Sequence, residues 1–317
     1  MSRGSSRGES QEWDLTTESA ARILEVDRLA CSSAAKPADR RPGSQLQADP
    51  RPASGLDRMR NTVLLRQRRY RISRAEQKLL STVGAFRTVA VNDLLTYQYV
   101  LNHRQFGQDL RNLKGQALIR VHRLMVGGAD EVLQVLVLTR EARELLASVE
   151  REDSRQVSYV GLVKPREIAH DAAIYRMYEA EAARIKSRGG VVRRVVLDYE
   201  LKASIYATLA KARSLPRLDY AKRQREVAQA HGLQVVGGRI PLPDLRLEYE
   251  TPEGDLTKVD LELATYHYHG AYALEKTNAG FKLYADGPSA ARLNARLTRG
   301  RGPVPDGPGL TDAILSL

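Results

Sequence analysis

The sequence predicts a mixed α+β chain: a helical block ending in a β-hairpin, then a separate α/β unit. Three observations carry that prediction. Apolar residues recur at helical spacing between 74 and 114, two strand-like runs follow them, and the second half alternates helix-like and strand-like segments around an acid-rich hairpin. With 317 residues the chain is long enough for two modest cores.

Residues 1–56 precede the first periodic segment. The stretch 34–55 is rich in Pro, Ala, Arg, Gly and Ser and carries too little apolar surface to order itself. Residues 1–56 are therefore expected to form a disordered basic tail, with one helical patch at 13–29. From 57 the composition changes, and Arg58, Arg60, Arg66, Arg68, Arg69, Arg71 and Arg74 crowd ahead of a helix. Ser73, with Glu76 three residues on, suits a capping box opening a helix at 74–83 that buries Leu79, Leu80 and Val83. A second helix is expected at 91–99, with Asn92 as a candidate cap. A third is expected at 102–114, stopped by Gly115. Its Phe106, Leu110 and Leu113 fall at i, i+4 and i+7, a single apolar stripe. Runs 117–124 and 131–139 read as a hairpin around Gly127-Gly128, and a helix at 140–148 closes a unit spanning 57–149.

Three helices followed by a hairpin is the winged-helix pattern, in which the third helix enters the major groove of duplex DNA. Opposite its apolar stripe lie Arg104, Gln105, Gln108, Arg111 and Asn112. Arginine suits guanine edges and phosphates, and Asn or Gln suits adenine. Arg120, His122 and Arg123 would reach flanking backbone from the wing. Together with Arg66, Arg68, Arg69 and Arg71 these residues make double-stranded DNA the expected partner. The net charge of +12, mostly arginine, agrees with a polyanionic partner. A polar outer face that merely meets water, or a winged helix used for protein contacts or homodimerisation, explains the same residues.

After a polar linker at 150–156, the second unit is expected over 157–285. Its elements are a helix at 166–186 containing His170 and Asp171, a strand at 191–197, basic helices at 201–212 and 220–231, a hairpin of 239–249 and 258–266, a helix at 270–279 and a strand at 281–284. Residues 286–317 are expected to be a tail with short helices. In the hairpin, Pro243-Asp244 starts one strand and Asp260-Leu261-Glu262 lies within the other. Residues two apart share a strand face, so Asp260 and Glu262 point together while Val259, Leu261 and Leu263 fill the other face. Carboxylates in mid-strand are costly to bury unless they pair with cations or hold a metal. Asp244 would join them across the ladder, and Glu200 would complete the cluster. Such oxygens suit Mg²⁺ or Mn²⁺, which activate water and neutralise charge on a phosphodiester. An amphipathic hairpin with its acidic face in water, paired to nearby lysines, is the alternative.

The order helix, strand, Pro-Asp strand, acidic strand, helix resembles the PD-(D/E)xK nuclease superfamily. More closely, the two-part chain resembles the replication-relaxation family of plasmid and mobile-element proteins, where a winged helix precedes a nuclease-like domain. The residues that carry the resemblance are Pro243-Asp244, the run Val259-Asp260-Leu261-Glu262-Leu263-Ala264-Thr265, and Lys276 with Gly280-Phe281-Lys282-Leu283-Tyr284. The resemblance implies an α+β fold with an N-terminal winged helix-turn-helix and a PD-(D/E)xK nuclease-like domain. It implies Asp244 and either Glu262 or Asp260 as metal ligands, with Glu200 as an accessory. The lysine of the pattern is missing: its position is Ala264 in one register and Glu262 in the other. Lys276 on the following helix is the candidate replacement, reaching back into the site. The implied function is DNA binding in replication, DNA relaxation or transfer, with or without metal-dependent cleavage. A transcriptional regulator whose second domain dimerises or senses a ligand is the rival.

Other chemistries find little support. Cys31 is the only cysteine, which excludes an intramolecular disulfide and a Cys-based zinc site. There is no phosphate loop of the G-x-x-x-x-G-K-[ST] type and no Ser or Cys nucleophile motif. Tyr266-His267-Tyr268-His269 offers two imidazoles to zinc, but a third ligand would have to come from Glu262 or His170. A tyrosine relaxase would need a three-histidine motif, which the sequence lacks. No apolar run approaches a membrane span and the first residues do not resemble a signal peptide, so a cytoplasmic location away from membranes is expected.

Overall fold

The computed structural model describes residues 59–126, 131–149, 155–162, 165–212, 214, 216–264, 270–286, 289–290 and 314–317. The tail at 1–56, Arg58, and the run 266–269 lie outside them. The fold is mixed α+β, and no helix among the described residues is long and apolar enough to cross a membrane.

The first half opens with a hairpin that the sequence pattern did not reveal, β1 (Asn61–Leu65) and β2 (Arg68–Ile72). Leu65 pairs with Arg68, so the chain reverses through Arg66 and Gln67, whose φ values of 48° and 64° lie in the left-handed region. Such two-residue turns ordinarily carry Asn-Gly or Asp-Gly, and without those residues the turn has no sequence signature. Tyr70 and Ile72 face the core while Arg69 and Arg71 face outward.

Helix α1 (Arg74–Phe86) starts at the expected capping box: the Glu76 amide donates to Ser73 Oγ, and the Ser73 amide donates to Glu76. A two-residue strand, β3 (Val89–Ala90), leads into α2 (Val91–Tyr97). Asn92 does not cap α2, because Ala90 holds the N-cap position without a side-chain bond. Helix α3 (His103–Gly115) runs through Gly115, and the reversal falls instead at Ala117, φ 57°. Strands β4 (Ile119–Val126) and β5 (Glu131–Leu138) pair along their whole length, and β3 pairs with the other edge of β5 to give the sheet order β3-β5-β4. Helix α4 (Arg140–Val149) packs back on β1 and on α1.

Residues 155–162 bind both halves. The Tyr159 amide donates to Gly84 O at 2.8 Å, and the Gln156 side chain exchanges two bonds with the backbone of Val195. Helix α5 (Pro165–Ser187) lies between the halves, with Tyr175 against Phe86 at a ring separation of 5.1 Å and Ile174 and Met177 in the same buried cluster as Leu245, Leu247, Leu261 and Leu263.

The second sheet has the order β10-β9-β8-β7-β6. Strand β6 (Val191–Leu197) and β7 (Leu245–Glu250) are antiparallel, as are β7 and β8 (Leu256–Leu263). Helix α8 (Gly270–Asn278) then crosses over to β9 (Lys282–Ala285), parallel to β8. Strand β10 (Ile314–Ser316) extends β9, where the sequence suggested only tail helices. Helix α5 covers one face. Helices α6 (Asp198–Ala210) and α7 (Arg217–Ala230) cover the other around Val196, Leu201, Ile205, Leu209, Val227 and Phe281. Residues 239–244, expected to be strand, lie outside the ladder, with Arg239 in an isolated bridge to Val236.

Candidate active site and nucleic-acid surface

The start of β7, the C-terminal end of β8 and helix α8 meet in one cavity of about 290 Å³. Its walls include Asp198 and Lys202 of α6, Asp244 just before β7, Glu262 of β8, and Tyr272 and Lys276 of α8. Backbone bonds hold the two central carboxylates together. The Leu263 amide donates to Asp244 Oδ2 at 2.9 Å, and the Asp244 amide donates to Glu262 Oε2 at 3.3 Å.

Lys276 reaches back from α8 to place Nζ 2.9 Å from Glu262 Oε1. It also donates to Leu242 O at 2.6 Å and lies over the Tyr272 and Phe281 rings. Burial works against the ammonium charge, but the Glu262 carboxylate outweighs it and raises the lysine above its ordinary value. Both side chains are about 95% buried, so the pair is fully desolvated.

Behind Asp244 stands His170 of α5. Its Nε2 is 3.5 Å from Asp244 Oδ2 and its Nδ1 is 3.6 Å from Asp171 Oδ1. Burial alone would lower the imidazole, yet hydrogen bonds and charge from Asp171 and Asp244 push it up to about 10. Asp171 in turn accepts from the Tyr199 hydroxyl at 3.1 Å, and the Arg87 guanidinium lies 4.5 Å over the Tyr199 ring. Asp198 is raised, chiefly by burial, and is paired to Lys202.

Of the five site residues singled out in the sequence, the structure brings Asp244, Glu262 and Lys276 together and leaves two acids aside. Asp260 does share a face with Glu262, but it lies opposite buried Arg246 and receives two guanidinium bonds, at 2.6 and 2.9 Å. Glu200, in the first turn of α6, is paired to Arg194 of β6. Both are neutralised by arginines, Asp260 across the ladder and Glu200 from the strand that leads into its own helix. Asp198, Lys202 and His170 complete the surroundings. Asp198 and Lys202 share one face of α6 at i, i+4, the one local signal that would have drawn them out.

Among the described residues there is no group of three or more His, Cys, Asp or Glu arranged as metal ligands. Mg²⁺ ordinarily keeps several waters and takes one or two carboxylates. Two adjacent carboxylates opening onto a cavity of this size fit that ion, and they do not fit a closed zinc cage.

On the first half, Arg104, Gln108 and Arg111 are exposed along one side of α3, and Arg120 is exposed on β4. Arg68, Arg69 and Arg71 are exposed on β2, with Arg68 5.1 Å from the Tyr70 ring centre. The Asn112 side chain donates to Arg71 O at 3.0 Å, and Gln116 exchanges two bonds with the Arg71 backbone, so the arginine strand is tied to the end of α3. Three residues placed on the DNA face by their sequence have internal partners. Asn112 also donates to buried Glu76 at 2.8 Å, Gln105 donates to buried Asp109 at 2.7 Å, and Arg66 is paired with Glu144 at 2.8 Å. Glu76 and Asp109 are at most 1% exposed, and a carboxylate that deep must recruit nearby donors.

No family model matches the chain, and neither a curated protein nor a solved structure gives a match.

Proposed function

We propose that the chain is a DNA-binding protein with a nuclease-like second unit, acting on the DNA of a plasmid or integrated mobile element in replication, relaxation or transfer. The observation that carries this reading is the meeting of Asp244, Glu262 and Lys276 in one cavity, two carboxylates and a charged lysine drawn from the Pro-Asp strand, the acidic strand and the next helix. The strand directions support it: two antiparallel pairings followed by a parallel crossover through α8 suit a PD-(D/E)xK-type core. In the first half, helices α1 to α3 and the order β3-β5-β4 suit a winged helix whose α3 would enter the major groove.

Each side chain has a definite task in this reading. Asp244 and Glu262 would hold Mg²⁺ or Mn²⁺, which when bound supplies an activated water and neutralises phosphate charge. The Lys276 ammonium, kept charged by Glu262, stabilises negative charge developing on the phosphodiester. His170 would fix the direction of Asp244 through its Nε2, 3.5 Å from Oδ2. The arginines of β2 would grip the phosphate backbone, and Arg104, Gln108 and Arg111 of α3 would meet base edges and flanking phosphates.

The test is incubation of supercoiled plasmid with the protein and Mg²⁺ or Mn²⁺. Loss of supercoiling, abolished by Asp244→Ala and by Glu262→Ala, is the expected result. Retained supercoiling at saturating protein, with DNA still bound, would leave a binding protein or regulator without cleavage.

A further inference from the structure

The acidic cavity continues into a second hollow of about 260 Å³, and the two share Tyr206, Arg239 and Ile240 as walls. The continuation is formed by the far end of α6, by Tyr220 and Gln224 of α7, and by the loop carrying Arg239. The Gln224 side chain donates to Gly238 O at 3.0 Å, which fixes that loop against the helix. Its chemistry differs from that of the acidic centre: no acid is among its described walls, and Arg239 is exposed.

Tyr206 stands where the two hollows join. Asp198, Lys202 and Tyr206 follow one another at intervals of four along α6, so a single helix face runs from the acidic centre to this ring. The ring is 55% exposed, although a large aromatic side chain beside a buried apolar cluster would ordinarily be covered. Helical spacing sets Arg217 one turn before Tyr220 on the same side of α7, and Arg217 is exposed. An exposed aromatic face flanked by cations is the chemistry of single-stranded nucleic-acid binding, in which bases stack on rings and cations follow the backbone. Duplex DNA hides its base faces in its own stack and offers such a ring nothing to bind.

We propose that this trough receives an unpaired strand, with Tyr206 stacking on a base beside the scissile phosphate and Arg239 holding the adjoining phosphate. The substrate class is then single-stranded or locally melted DNA at the point of cleavage, with duplex gripped by the first half. This rests on the nuclease reading of the neighbouring centre.

The test measures binding by the full chain in EDTA, where cleavage is silent, using a fluorescein-labelled short oligothymidylate and a labelled duplex. Tyr206→Ala is expected to weaken oligothymidylate binding about ten-fold, the loss of one stacked base. Tyr206→Phe, which keeps the ring, should leave it nearly unchanged, and Arg239→Ala should weaken it and flatten its salt dependence. Duplex affinity should not move in any of the three. Equal binding by wild type and Tyr206→Ala, or a parallel fall on duplex, would overturn the proposal. Plasmid nicking with no effect of Tyr206→Ala on strand binding would keep the nuclease and discard the trough. Ring-dependent strand binding without nicking would do the reverse.

Discussion

Lys276 Nζ lies 2.9 Å from Glu262 Oε1, the lysine on a helix and the glutamate near the end of a strand, with both side chains almost wholly out of water. Removing one partner of such a pair strands the other as an uncompensated buried charge. Lys276→Ala is expected to cost about 3–5 kcal/mol of stability, and Lys276→Ala with Glu262→Gln to recover much of it. Urea unfolding of wild type, both single variants and the double variant closes the cycle. Additive losses would mean that the two side chains do not interact.

Asp260 provides the contrast. Its two bonds to Arg246, which also donates to His231 O at the end of α7, make it a structural partner of a buried guanidinium. Asp260→Asn is expected to destabilise the fold by about 3 kcal/mol. It should leave the rate of plasmid nicking per folded molecule unchanged. A thermally sound Asp260→Asn protein with no nicking would return this residue to the site.

His170 sets the pH dependence of stability. Because Asp171 and Asp244 hold its imidazole charged up to about 10, against an ordinary value of 6.5, the fold binds a proton that the unfolded chain releases earlier. That stabilisation is complete below pH 6.5 and disappears as pH rises through 10. With a third of the side chain exposed, about 2 kcal/mol is expected. Urea unfolding of wild type and His170→Asn between pH 6 and 10 should show the wild-type advantage shrinking with rising pH. A constant difference would contradict the pairing.

On the DNA side, Arg104→Ala with Arg111→Ala should weaken duplex binding and lower the salt slope by about 0.9 for each phosphate that is no longer neutralised. Asn112→Ala should act differently, lowering stability by about 1–3 kcal/mol because Glu76 and the Arg71 carbonyl lose a donor. Fluorescence anisotropy across a salt series, beside thermal melts, separates the two effects.

Local signals carried much of the fold. Ser73 and Glu76 announced α1, the β-branched run 191–197 gave β6, and the alternation around Asp260 and Glu262 gave β8. The β1–β2 hairpin escaped because Arg66-Gln67 turns through positive φ without the residues that usually do so. Within the site, Asp244, Glu262 and the returning lysine could be named from motif order. The neutralisation of Asp260 by Arg246 depends on β7 and β8 becoming neighbours, that of Glu200 by Arg194 on how α6 folds back from the end of β6, and the placement of His170 behind Asp244 on how α5 lies across the sheet. Such tertiary pairings leave no spacing signature. The amides of Asn112 and Gln105 show the same limit, since their partners Glu76 and Asp109 are acids that only the folded core makes inaccessible.

A cleavage assay also depends on supplying the right DNA, so metal binding by the protein alone tests the central claim most directly. Titration with Mn²⁺, followed by the loss of the free-ion paramagnetic resonance signal, should reveal a site in the wild-type chain that vanishes in Asp244→Ala and in Glu262→Ala, while Asp260→Asn and Glu200→Gln retain it. Mn²⁺ that stays free in the presence of folded wild-type protein, or that binds equally well without Asp244 and Glu262, would contradict the account.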